Sequence, residues 1–246
     1  MLKILLAFLA LTLPFQCDSR NFVIGVEDIA YYPLFDFQKD GDSYTKALFT
    51  EFGKQSGHTF TYLPLPIKRF NKWLIEDNID FKYPDNERWN PSGKQVDSFI
   101  YSDSTIRLVA GTLTAVDRNL TEKDFKVLGT LLGFYPTQWI EQIKSKQVQL
   151  YENSSTLMLL QQVLRGQVDG IDLEPSVVQY HLKKLGKPGA LVVNKNLTYE
   201  VYDFYLSTIK HQDIIIEFNQ FLKDNQPLLA ELRRKFEIVD HRPYLK

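Results

Sequence analysis

The chain has 246 residues, 44% hydrophobic and 24% charged, with a formal net charge of −1. That is ordinary globular usage, with enough apolar material for one or two cores. The near-neutral balance has no basic stripe, which excludes nucleic acid as a partner. Only one cysteine is present, so no disulfide framework stabilises the fold. Aromatics are abundant, with 17 Phe, 13 Tyr and 3 Trp. Tyr and Trp join an apolar body to a polar tip and suit wet pockets as well as cores.

The first residues, "MLKILLAFLALTLPFQCDSR", combine Lys3 with an apolar run from Ile4 to Leu13 broken by Pro14. The run is too short to cross a bilayer, which needs about 20 apolar residues. It has the layout of a secretory signal over residues 1–19, with Cys17 and Ser19 as the small residues before the cut. The periplasm is therefore the expected compartment. Lipidation at Cys17 is the rival, against a poor lipobox at Phe15 and Gln16. No later segment is long and apolar enough to be a membrane helix.

"NFVIGVED" reads as a buried strand, and Gly25 marks a close approach. The loop behind it carries Asp28, Tyr31 and Tyr32. Tyr44, Ala47, Leu48 and Phe52 then line one face of a helix from about 44 to 55, with Ser43 as N-cap and Gly57 as its stop. "HTFTYLPL" is a second strand. "IKRFNKWLIEDN" is a short helix with Phe70, Trp73 and Leu74 inward. "IDFKY" is a third strand, ended by Pro84, Asp85 and Asn86, and Arg88 and Trp89 follow. The β-α-β-α-β order predicts a mostly parallel sheet with helices on its faces. "SFIYSDSTIRLVAGTLTAV" is extended.

The theme then repeats. "FKVLGTLLG" is a strand, "TQWIEQIKS" a helix and "VQLYEN" a strand. "SSTLMLLQQVLRG" is a helix with Leu157, Leu160 and Leu164 on one face, capped by Ser154 or Ser155. "VDGIDLEP" is a strand, and "SVVQYHLKKLG" a helix ended by Gly186. "LTYEVYDFYLSTIK" is extended again, and a helix from about 212 to 236 is broken by Pro227. Two α/β units joined by extended segments, with no flexible linker between them, predict an α/β protein of two lobes hinged about a cleft.

Signatures of covalent catalysis are absent: there is no G-x-S-x-G, no Walker A and no G-x-G-x-x-G after the first strand. His58, His181, His211 and His241 have no metal-ligand spacing, so neither metal nor cofactor is expected. Asp172 and Glu174 share a strand face, with Asp169 outside it. The positional signal is stronger, because open parallel sheets bind ligands beyond the carboxyl ends of their strands. Those places hold Asp28, Tyr31 and Tyr32, then Asp85, Asn86, Arg88 and Trp89. In the second unit they hold Phe134 and Tyr135 at a helix start whose N–H groups suit an anion, then Glu174. Arg for a carboxylate, an acid for an ammonium and aromatics for the apolar body suit a small zwitterion.

The chain resembles the bacterial extracellular solute-binding proteins of family 3, the amino-acid-binding type with the type II periplasmic binding fold. The resemblance rests on "VIGVEDIAYYPLFDF", "SYTKALFTEFGKQSGHTFTYLPLP", "FIYSDSTIRLVAGTL" and "VLRGQVDGIDLEPSVVQYHL", in that order. It implies one lobe over 20–108 and 203–246 and the other over 109–202. It also implies a monomer that passes a small solute to an inner-membrane ABC permease or a sensor protein. By resemblance, Asp28 and Tyr31 lie in the first ligand loop, Phe134 and Tyr135 at the anion-binding helix start, and Glu174 where an acid takes the ligand's amino group. The family's T-x-x-x-R, whose Arg grips the α-carboxylate, is replaced here by "PDNERW", and Arg88 is matched to it at shorter spacing. Two alternatives stay open. One is a dehydratase on the same fold, with Glu174 as general acid. The other is an orphan module that binds another periplasmic protein.

Overall fold

The computed structural model describes residues 19–38, 41–89 and 98–245. The expected signal segment, with Cys17, lies outside the described residues except for Ser19.

Strand β1 (Asn21–Glu27) is the spine of the first half. It pairs in parallel with β4 (Thr59–Leu65) on one side and β5 (Phe81–Asp85) on the other. A Cβ at Gly25 would lie 2.4 Å from Cδ1 of Ile79, so any larger residue here would force that side chain to move. The close neighbour is thus a side chain, not a second backbone. A hairpin of β2 (Ala30–Tyr31) and β3 (Phe35–Asp36) follows β1. Helix α1 (Tyr44–Ser56) starts where Ser43 Oγ accepts from Lys46 N–H, and it stops at left-handed Gly57, φ 77°. A 3-10 turn over Ile67–Lys72 leads into α2 (Trp73–Glu76), which buries Trp73 and Leu74 in a small cluster with Phe70 and Ile79.

Two ten-residue strands cross between the halves. After β6 (Ile100–Tyr101), β7 (Ile106–Ala115) runs out, and β12 (Tyr199–Thr208) runs back antiparallel to it. The far end of β7 pairs with β10 (Gly170–Asp172) and β11 (Leu191–Val193). Beyond β10 lie β8 (Val127–Leu131) and β9 (Gln149–Asn153), both parallel. The full order is β4-β1-β5-β12-β7-β10-β8-β9. Helices α3 (Ile140–Lys144), α4 (Thr156–Leu164) and α5 (Pro175–Lys184) belong to the second half. The chain closes on the first half with α6 (Gln212–Asp224) and α7 (Gln226–Lys235), and Pro227 sits in the first turn of α7, where no intrahelical N–H is needed.

Three readings of the sequence need correction. Strand β5 does not end at Pro84. It runs through Pro84 to Asp85, and the proline falls at a register shift against β12, between the Tyr205–Asp85 and Ser207–Lys82 pairings. Helix α4 buries Thr156, Leu159, Leu160 and Val163, leaving Leu157 exposed at 39%. Its turn spans so many apolar residues that two neighbouring stripes fit equally well. Last, several of the N–H groups at the start of the second-half helix are already engaged. Gly133 donates to Glu152 Oε1 at 3.1 Å, Phe134 to Leu131 O and Thr137 to Tyr135 O. The α-helix proper is only five residues long.

Candidate functional site

The carboxyl ends of β1, β8 and β10 face one another across the crossing strands, and a cavity of about 380 Å³ lies between them. Volumes of this order suit small organic ligands. Its first wall begins with Glu27, the last residue of β1, and continues with Tyr31 and Phe35 from the hairpin. Ile67, Lys68 and Phe70 come from the 3-10 turn, and Arg88 and Trp89 from a single turn after β5. Val109, Ala110, Tyr202 and Phe204 on the crossing strands form the floor. The second wall is Gly133 to Tyr135, Thr137 and Gln138 after β8, with Asp172, Leu173 and Glu174 after β10.

Contacts between the walls hold the cleft shut. The Glu174 backbone N–H donates to the Tyr31 hydroxyl at 2.9 Å, and the Tyr31 ring meets Phe134 edge-on at 5.4 Å. Tyr32 packs on Tyr180, with ring centroids 4.3 Å apart. Past α7, Val239 N–H donates to Ser176 Oγ at 2.8 Å, and Glu237 pairs with Lys183.

Of the residues singled out from the sequence, Tyr31, Arg88, Trp89, Phe134, Tyr135 and Glu174 line the cavity, and Asp28, Tyr32, Asp85 and Asn86 do not. Asp28 is exposed beside β1 and accepts from Gln38 Nε2 at 2.9 Å. Tyr31, the last residue of β2, turns inward, and Tyr32, in the turn that follows, goes to the outer seam with Tyr180. Asp85 is wholly buried behind the wall, where it holds Lys82 at 2.9 Å and accepts from Ser207 Oγ at 2.6 Å. Lys82 Nζ also lies 3.9 Å from the centre of the Phe70 ring, which stands between it and the cavity. Asn86 shapes the turn, accepting from Arg88 N–H at 3.0 Å and donating to Asp203 O at 2.8 Å. That turn sets Trp89 against Phe70, Tyr202 and Phe204.

Arg88 reaches the lining, but its guanidinium is engaged by Glu200 at 2.6 Å, with both side chains partly exposed. Glu174 serves first as the N-cap of α5. Oε2 accepts from Ser176 N–H at 2.7 Å and Val177 N–H at 3.2 Å, and Oε1 accepts from Ser176 Oγ at 2.9 Å. Burial pushes its carboxyl up to about 7 against those bonds. Asp169 lies outside the site, tied to Arg118 and to the N–H groups of Lys126 and Val127.

The sequence reading missed Glu27 and Tyr202, and noted Asp172 without choosing it. Glu27 is 7% exposed, and burial, aided by the Asp85 charge and opposed by Lys82, pushes it up to about 8. Burial, then Glu200, pushes Asp172 up to about 7. Among the described residues neither carboxylate has a side-chain hydrogen bond or ion pair. Glu27 is marked by its place in the sequence: it is the last residue of the first strand, immediately before the loop that carries Asp28 and Tyr31.

No family model matches the chain, and no curated protein matches it. Solved structures do. An ancestral arginine-binding protein bound to arginine is 14% identical, with a TM-score of 0.68, covering 88% of this chain and 97% of that one. An ABC uptake transporter substrate-binding protein from Streptococcus pneumoniae with bound histidine is 18% identical, with a TM-score of 0.67 and coverages of 88% and 92%. An ancestral amino-acid-binding protein, a precursor of cyclohexadienyl dehydratase, is 14% identical, with a TM-score of 0.65 and coverages of 88% and 95%. The fold is that of the two-lobed periplasmic binding proteins, type II.

Proposed function

We propose that this chain is a periplasmic solute-binding protein that captures a small polar solute between its lobes and releases it unchanged to an inner-membrane ABC permease or a sensor protein. The lobes on this reading are 20–108 with 203–246, and 109–202, and the protein acts as a monomer. The observation that carries the reading is the cavity itself. Both lobes contribute walls, the crossing strands form its floor, and direct contacts such as Tyr31 to Glu174 join the rims. A hinge at β7 and β12 lets such a cleft open and shut, and a ligand that touches both walls favours the shut state by its differential affinity. The resemblance in sequence and the binding proteins among the structural neighbours support the same role.

Turnover is the second reading, favoured by a buried carboxyl in the cavity and by the dehydratase-precursor neighbour. Glu174 is committed first to capping α5, its Oε2 accepting two bonds and its Oε1 one, which leaves Glu27 and Asp172 as the carboxyls without side-chain bonds in the cavity among the described residues. The structural neighbours that are binding proteins favour binding without chemistry. The test is a thermal-shift screen of amines, amino acids and organic acids, followed by recovery of the ligand. A rise in melting temperature with unchanged ligand is expected. No shift across the screen refutes binding, and a converted ligand makes the protein an enzyme.

A further inference from the structure

We infer that the cleft takes an organic cation, an amine or guanidine, that carries no carboxylate. This rests on the solute-binding reading and names the class of solute. Three acids, Glu27, Asp172 and Glu174, line one small cavity. A buried carboxylate left alone is costly and must gain a cation or a proton. Glu27 is more than nine-tenths buried and has no side-chain partner among the described residues, and Asp172 has none either. A third group points the same way. Gln138 is oriented by donating from Nε2 to Ala110 O at 3.0 Å, which leaves its Oε1 buried without a partner. All three unpaired groups accept hydrogen bonds in their charged or amide forms. An ammonium or guanidinium is all donor.

The lining offers little to a carboxylate. Arg88 is neutralised by Glu200 at 2.6 Å. Lys82 is buried behind Phe70 and paired with Asp85. Lys68 is exposed at the rim. The first N–H groups of α5 are consumed by Glu174, and that of Gly133 by Glu152. An anion entering here would meet three acids, with exposed Lys68 the one lining cation outside an ion pair among the described residues. A cation meets three acids and the rings of Tyr31, Trp89, Phe134 and Tyr202, whose faces attract positive charge.

The test uses matched pairs that differ only by the carboxylate: agmatine and arginine, cadaverine and lysine, tyramine and tyrosine, histamine and histidine. Each is titrated calorimetrically into the mature chain. We expect at least one decarboxylated member to bind more than tenfold tighter than its amino acid. Glu27→Gln should cost that amine more than tenfold while the protein stays folded by thermal melt. Glu200→Ala, which frees Arg88, should narrow the gap within the pair. Amino acids binding as tightly as their amines, or any smaller preference than tenfold, overturns the inference and leaves the solute-binding reading standing. An organic acid binding in place of the amines does the same. Silence from amines, amino acids and organic acids alike overturns both.

Discussion

Replacing Glu27 with glutamine removes the cavity's most buried carboxyl without a side-chain bond among the described residues and keeps its shape. The carboxyl titrates near 4.5 in the unfolded chain and near 8 in the folded one. Below pH 4.5 it is protonated in both states and stability does not depend on it. Between those values the unfolded state ionises first, so stability falls with rising pH, by up to about 1.4 kcal/mol per unit. Above pH 8 the loss is complete. At pH 7 the full difference corresponds to about 3 kcal/mol, and water in the open cleft screens part of it, leaving about 1–3 kcal/mol. Asp85 and Lys82 face Glu27 from β5 with opposing effects, and both remain in the variant. Asp172 and Glu174 keep a smaller fall of the same sign, since both sit near 7. For a chain of this size each kcal/mol shifts the midpoint by about 2–4 °C. Ligand-free Glu27→Gln should therefore melt higher than the parent at pH 7.5 by roughly 2–12 °C, with a flatter pH profile between 5 and 8. Differential scanning calorimetry across that window reads both quantities. A variant that melts lower at pH 7.5, or keeps the parent's pH slope, refutes the picture of an unpaired buried acid.

Lys82→Met leaves Asp85 buried and uncompensated, and should cost about 3–5 kcal/mol in urea unfolding. A loss below about 1 kcal/mol would mean the pair is not sealed behind Phe70. Tyr31→Phe keeps the ring on Phe134 but strands the Glu174 N–H, so closure weakens by about 1 kcal/mol and calorimetric affinity for the bound solute drops roughly fivefold. Unchanged affinity would remove that bond from the latch. Arg88→Ala breaks only a partly exposed pair, so stability should move by less than about 1 kcal/mol. Amine affinity should stay within about threefold, whereas a loss above tenfold for a carboxylate-bearing solute would return Arg88 to the role of carboxylate grip, since charge-assisted bonds contribute about 1.5–3 kcal/mol.

Much of the fold was legible because its signals are local. Ser43 and Gly57 bracket α1 within a residue of the expected span, and Ser155 accepts from Met158 N–H to cap α4. Strands of two or three residues, such as the β2–β3 hairpin and β11, carry too few positions for a period to show. In α4 the apolar content itself hid the buried face. The site was legible only by region. The loops behind the parallel strands line the cavity, but a one-residue step decides which side chain enters it. Glu27 rather than Asp28, and Tyr31 rather than Tyr32, follow from strand alternation and hairpin geometry. The partners that decide charge are remote: Glu200 lies 112 residues from Arg88, and Ser207 lies 122 from Asp85. No local pattern announces them.

On the proposed reading the cleft captures a small cation whole. Native mass spectrometry of the freshly purified mature chain, with the released molecule identified after denaturation, tests it most directly. The account predicts one organic cation per chain, recovered chemically intact and missing from Glu27→Gln prepared in parallel. An anion or a neutral sugar in the parent, or an identical cation load in the variant, would contradict it.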